Sequence, residues 1–175
     1  MNRMSNKSKR HLSGLFIILT TLISLELSSQ TTQPAKQPFK FNEITFHVTG
    51  CKTACPEVSM NILANRKIQV TREVYNSRHE LDTVRSGGFK GTLDPKEFNK
   101  LLTILSAYNF EKLVFPKVLC CDSSVKTLIV TYNDESKRFQ SMTPPLEARK
   151  LISYLTDLAL RVRLKRVDGA YDFEM

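Results

Sequence analysis

A strand rhythm, interrupted twice by proline-started helices, runs through residues 44–162, and few architectures accommodate it. Ile44, Phe46 and Val48 alternate with Thr45, His47 and Thr49, the period of a strand with one buried face. Val58, Met60 and Ile62 repeat the pattern after Pro56, and Ile68, Val70 and Arg72 continue it beyond a turn at Asn65-Arg66, where Asn tolerates left-handed backbone. Leu81 to Leu93 reads as a fourth, irregular strand with a bend or bulge at Gly87-Gly88. Asp94-Pro95-Lys96-Glu97 then starts a helix: Asp can cap the free amides, Pro fits the first turn, and Glu can reach back to the cap. Phe98, Leu101, Leu102, Leu105 and Tyr108 form its apolar stripe.

The cycle then repeats. Leu128, Val130 and Tyr132 alternate up to the polar turn Asn133-Asp134-Glu135-Ser136, Phe139 and Met142 return, and Thr143-Pro144-Pro145 opens a closing helix. That helix carries Ala148, Leu151, Ile152, Leu155, Leu158, Ala159 and Val162 on one face. Fifty residues apart, Pro95, Glu97, Lys100, Leu101 and Leu105 match Pro145, Glu147, Lys150, Leu151 and Leu155, so the chain reads as two sheet-plus-helix halves. Helices that follow antiparallel hairpins predict an α+β fold: a single antiparallel sheet of roughly six strands with both helices packed on one face.

Ahead of this domain, Arg3, Lys7, Lys9 and Arg10 precede an apolar run from Leu12 to Leu25 and the small, polar Leu27-Ser28-Ser29-Gln30. This is the layout of a secretory signal peptide over residues 1–29, cleaved after Ser29; the run is shorter than the approximately 20 apolar residues a membrane span needs. Residues 30–40, rich in Thr, Gln, Pro and Lys, read as a flexible lead-in, 41–167 as the domain, and 168–175 as a loosely ordered acidic, aromatic tail. The expected location is secreted or periplasmic. Without the leader the chain keeps 22 basic and 16 acidic residues, a net +6, enough to solubilise it or to favour an anionic partner.

An oxidising destination makes Cys51, Cys55, Cys120 and Cys121 candidate half-cystines. Four cysteines allow three pairings. A local Cys51–Cys55 bridge would contribute about 2 kcal/mol or less, whereas a bridge from that loop to Cys120 or Cys121 could contribute about 4 kcal/mol. The same four thiolates could instead bind a metal, although adjacent cysteines do not give the usual ligand spacing. A redox role would call for Cys-x-x-Cys at a helix N-terminus, which the spacing here does not provide.

The segment Gly50-Cys51-Lys52-Thr53-Ala54-Cys55-Pro56 resembles the opening Cys-x-Gly-x-Cys-Pro-x-Tyr of a family of exported bacterial domains of unknown function. The likeness extends in outline from Ile44 to Leu160 and includes the Asp-Pro helix start, Asp122 before the second hairpin and the closing Pro-started helix. The chain departs from the motif at Thr53, in place of Gly, and at Val58, in place of Tyr. The resemblance implies a Cys51–Cys55 bridge, leaving Cys120 and Cys121 as an addition of this chain; it implies no activity.

No catalytic constellation stands out. His47 and His79 read as solvated surface residues, Asp122-Ser123-Ser124 as loop-capping chemistry, and Gly87-Gly88-Phe89-Lys90-Gly91 lacks the strand-to-helix context of a phosphate loop. Arg161, Arg163 and Lys165 are a candidate binding ribbon if extended; the favoured reading continues them as helix, where they complement the helix dipole. The expectation is a monomeric, exported, non-catalytic binding domain without a cofactor, stabilised by a disulfide. Its partner would be a protein or anionic surface polymer and not a nucleic acid. The alternative is a metal-binding or thiol-redox protein of the cell envelope using Cys51, Cys55, Cys120 and Cys121.

Overall fold

The computed structural model describes residues 39–51, 54–117 and 122–169. The leader, most of the lead-in, Cys120, Cys121 and the tail from residue 170 lie outside the described residues. Strands β1 (Phe41–Val48), β2 (Glu57–Leu63), β3 (Lys67–Glu73) and β4 (Gly87–Thr92) precede helix α1 (Pro95–Ser106). Strands β5 (Lys126–Tyr132) and β6 (Glu135–Ser141), a 3-10 turn (Leu146–Ala148), helix α2 (Arg149–Arg161) and β7 (Lys165–Val167) follow. The strands form one antiparallel sheet in the order β6-β5-β1-β2-β3-β4-β7. The α+β class and single sheet are as expected, with seven strands rather than about six.

Register explains the layering. Phe46 pairs with Met60 on one side and Leu128 on the other, and Met60 pairs with Val70, so one face is a continuous apolar layer. Phe98, Leu101 and Leu105 of α1, and Leu151, Leu155 and Leu158 of α2, belong to the same buried core. Each such side chain contributes about 1.5–3 kcal/mol on full burial. The opposite face runs Ile129-Thr45-Asn61-Gln69 across four strands, flanked by Arg138 and Lys90. These four central residues are half-buried, and none is charged.

Local chemistry departs from the sequence reading at several joints. At the first tight turn Arg66, with φ 67°, takes the left-handed conformation, while the Asn65 carboxamide accepts the Lys67 N–H at 3.0 Å. Asn133 and Asp134 both have positive φ, 48° and 63°, so the second turn is a two-residue hairpin and Glu135 already belongs to β6. Asp94 caps α1 by accepting the Lys96 N–H at 2.8 Å. Glu97 does not complete a capping box: its Oε2 accepts from Arg161 at 2.7 Å and from the Tyr154 hydroxyl at 3.1 Å, tying α1 to α2. The Arg161 hydrogen bond holds the Glu97 carboxyl below the usual carboxylate range.

The favoured helical reading of the basic end is corrected. Helix α2 stops at Arg161, Val162 is extended, and β7 pairs with β4. Arg72 explains the stop, because its guanidinium donates to the Ala159 and Leu160 carbonyls at 2.6 and 2.8 Å, satisfying groups that a helix end leaves open. Its Nε donates to the Arg85 carbonyl at 2.8 Å, and the guanidinium lies 4.5 Å from the centroid of Phe89. Arg166 of β7 approaches the same ring at 5.5 Å and donates to the Thr83 carbonyl at 2.7 Å and to that of Ser86. Gly88 has no room for a side chain, since a Cβ there would collide with the Gly169 carbonyl oxygen.

Candidate functional site at the disulfide end of the open sheet face

Strands β1 and β2 are joined by the cysteine loop, which lies at the end of the sheet where His47, Ser59 and Thr127 stand side by side on the face away from the helices. Cys51 and Cys55 are at disulfide distance, with Sγ–Sγ 1.95 Å and Cα–Cα 5.2 Å. Ala54, inside the loop, has φ 59°, a left-handed residue that helps turn the chain back toward Cys55. Below the loop, the Glu57 carboxylate accepts the Gly50 N–H at 3.3 Å. Thr49 bridges to the loop before β5: its N–H donates to the Val125 carbonyl at 3.0 Å, and its hydroxyl accepts the Val125 N–H at 2.9 Å. Asp122 and Ser123 are thereby brought beside the cysteine loop, and with Thr49, Gly50, Cys51 and Glu57 they line an open cleft.

His47 does not sit in solvent as its polar strand position suggested. It is only 8 % exposed, and its Nδ1 lies 2.8 Å from Ser59 Oγ. Burial pushes the imidazole below its ordinary pKa, against the opposing pull of Glu57. Thr127, on its other side, is 3 % exposed and accepts from Gln140 Nε2 at 3.2 Å. Further along the face Asn61 donates to Thr45 at 3.1 Å and to the Glu43 carboxylate. A Ser–His pair raises the question of nucleophilic chemistry, but here Nδ1 itself faces the serine. No carboxylate is hydrogen-bonded to the ring among the described residues, and both residues lie within regular strands. The pair is arranged as a part-buried polar contact between β1 and β2.

The sequence-derived candidates separate in space. Cys51, Cys55 and Asp122 converge at this cleft. Arg161 closes α2 against Glu97, and Lys165 stands opposite Lys90 at the β7 side, three strands away from β2, with Arg163 exposed between them. Those three residues therefore do not form one ribbon: Arg161 ends a helix and carries an ion pair, while Lys165 belongs to a strand. Sequence reasoning missed His47, Ser59, Glu57 and Thr127 as a group. The signal was present in the alternation, since every second residue of β1, β2 and β5 faces the same way, but the alignment of one strand against another was not.

A seven-stranded sheet covered by helices on one side, with a disulfide-closed loop and an acidic cleft at one end of the other, defines the class as a two-layer α+β domain. The chain belongs to the DUF6438 family, a domain of unknown function, whose family model matches residues 42–159. The match begins in β1, ends in α2 and leaves out β7. No curated protein shows significant similarity to the chain.

Proposed function

We propose that the chain is an exported, non-catalytic binding module, braced by its Cys51–Cys55 disulfide, that recognises a partner with the open sheet face and the cleft at its cysteine end. The observation that carries this reading is the composition of the open face. Thr45, Asn61, Gln69 and Thr71 lie on adjoining strands, half-buried and uncharged, and no helix packs on them among the described residues. Neutral amides and hydroxyls exchange water for a partner's hydrogen bonds at a much smaller desolvation cost than charges do, which suits a recognition surface. Export is supported by the basic and apolar leader in residues 1–29. The thiol or metal alternative loses ground because Cys51 and Cys55 at disulfide distance withdraw two of the four candidate sulfurs from any ligand set.

Positional photo-crosslinking in the cells that make the protein tests the reading. A photoreactive residue at Thr45 or Gln69 is expected to give a discrete adduct, and one at the exposed Lys100 on the helix side is not. Adducts of equal yield from both faces, or from Lys100 alone, contradict it.

A further inference from the structure

The two edges of the sheet differ, and one of them is unfinished. β7 closes one edge with three residues; β6 closes the other with seven, and among the described residues no strand pairs with its outward side. Beside it the segment Leu113–Lys117 is pinned by the Ser141 hydroxyl, which donates to the Pro116 carbonyl at 2.6 Å. Phe115 packs against Phe139 in a tilted arrangement with centroids 5.3 Å apart. Between segment and strand lies a cavity of about 570 Å³, with Leu113, Val114, Phe115 and Phe139 supplying apolar lining and Lys117 and Arg138 the charges among the described residues. Val114 is 71 % exposed. Neither Lys117 nor Arg138 takes part in an ion pair among the described residues. Phe139 faces the helix side of the sheet and Arg138 the open side, so a strand added here would meet apolar groups on one face and a cation on the other.

One stretch of this chain has the complementary pattern. Tyr171-Asp172-Phe173-Glu174-Met175 alternates apolar and acidic residues, so that in extended form its rings and thioether lie on one side and both carboxylates on the other. It follows β7, at the opposite edge. Six inter-strand spacings separate β7 from β6, about 28 Å. The six residues 170–175 reach at most about 22 Å fully extended, so they cannot lie along β6 of their own molecule.

We propose that the β6 groove receives the Tyr171–Met175 segment of a second copy as an added antiparallel or parallel strand, with Tyr171, Phe173 and Met175 on the side of Val114, Phe115 and Phe139, with Asp172 and Glu174 on the side of Arg138, and with Lys117 adding a second cation to the groove's lining. Backbone pairing at a free edge supplies affinity, and the alternate side chains supply register. The contact is heterologous: each copy offers a segment at one edge and a groove at the other, so the copies link head to tail. This replaces the expectation of a monomer and is independent of the open-face reading, because it uses the sheet edge.

Sedimentation velocity on the protein purified from the cells that make it, over a range of concentrations and at two salt levels, tests the arrangement. The chain is expected to assemble with rising concentration and to dissociate as salt increases. Tyr171→Ser with Phe173→Ser removes the segment's anchors; Lys117→Glu with Arg138→Glu reverses the groove. Each double variant alone should stay monomeric, and an equimolar mixture should form a one-to-one complex, since one variant retains the groove and the other the segment. A labelled synthetic peptide of residues 170–175 should bind the segment-deficient protein and lose on the order of tenfold affinity or more against a Val114→Asp version of it, whose fold is checked by thermal melting. Assembly that survives in either double variant, a mixture that stays monomeric, or a peptide that binds both proteins equally overturns the proposal.

Discussion

The two faces of the sheet are built from the same strands and differ in what each residue is asked to do. On the helix side, Phe46, Met60, Val70 and Leu128 are completely buried and pack against two amphipathic helices. On the open side, Thr45, Asn61 and Gln69 are half-buried, and Asn61 donates to Thr45 at 3.1 Å. The contrast teaches that stability and recognition are separated here by the parity of a residue along its strand, and substitutions one residue apart should differ sharply in effect.

The largest predicted difference lies between Phe46→Ala and Gln69→Ala. Removing a fully buried ring should cost about 3–5 kcal/mol in chemical denaturation, whereas truncating an open-face amide should stay within about 0.5 kcal/mol. Equal losses would mean that the open face is a second core. Arg72→Met comes next, because the Ala159, Leu160 and Arg85 carbonyls would all lose a charged donor while the side chain keeps similar bulk. A loss of about 2–3 kcal/mol is expected, with amide exchange at the end of α2 accelerated first. Exchange that accelerates uniformly would contradict its role as a local cap.

Replacing Cys51 and Cys55 together by Ser should lower stability by about 2 kcal/mol or less, since the ring they close is short. Non-reducing peptide mapping should recover the two in one disulfide-linked fragment. A collapse of the fold on this double change would point instead to a larger role for the loop.

The smallest effect concerns pH. Burial lowers the His47 pKa below 6.5 in the folded chain, so between the two values the unfolded chain binds the extra proton. Its contribution is therefore complete above 6.5 and declines as pH falls through the lower, folded value. His47→Gln should flatten the dependence of the unfolding midpoint over that window while leaving the acid loss from Glu97 and Glu111 in place, carboxyls held low by hydrogen bonds from Arg161 and Lys137. An unchanged slope in the variant would show that His47 does not titrate with folding.

How much of this was legible in the sequence depends on whether it was encoded locally. Alternation in β1, β2, β3 and β5 and the Asp94-Pro95 cap are carried by neighbouring residues, and they read correctly. Features set by distant partners did not. Helix α2 ends because Arg72, about 90 positions upstream, binds its last carbonyls, and nothing near Arg161 signals that. Glu97 belongs to Arg161 and Tyr154 rather than to its own cap for the same reason. The buried state of His47 depends on which residues stand beside it on β2 and β5, and strand order is not written in periodicity.

The separation of the two faces is tested most directly by the yield of the crosslinked adduct from position 45 when its surroundings on the open face are blocked. Gln69→Arg and Thr131→Arg both project from that face, and neither touches the helix-side core. This pair should leave the unfolding midpoint close to that of the parent protein and abolish the adduct from position 45. An adduct that persists at full yield on a stably folded double variant would contradict the assignment of the open face to recognition.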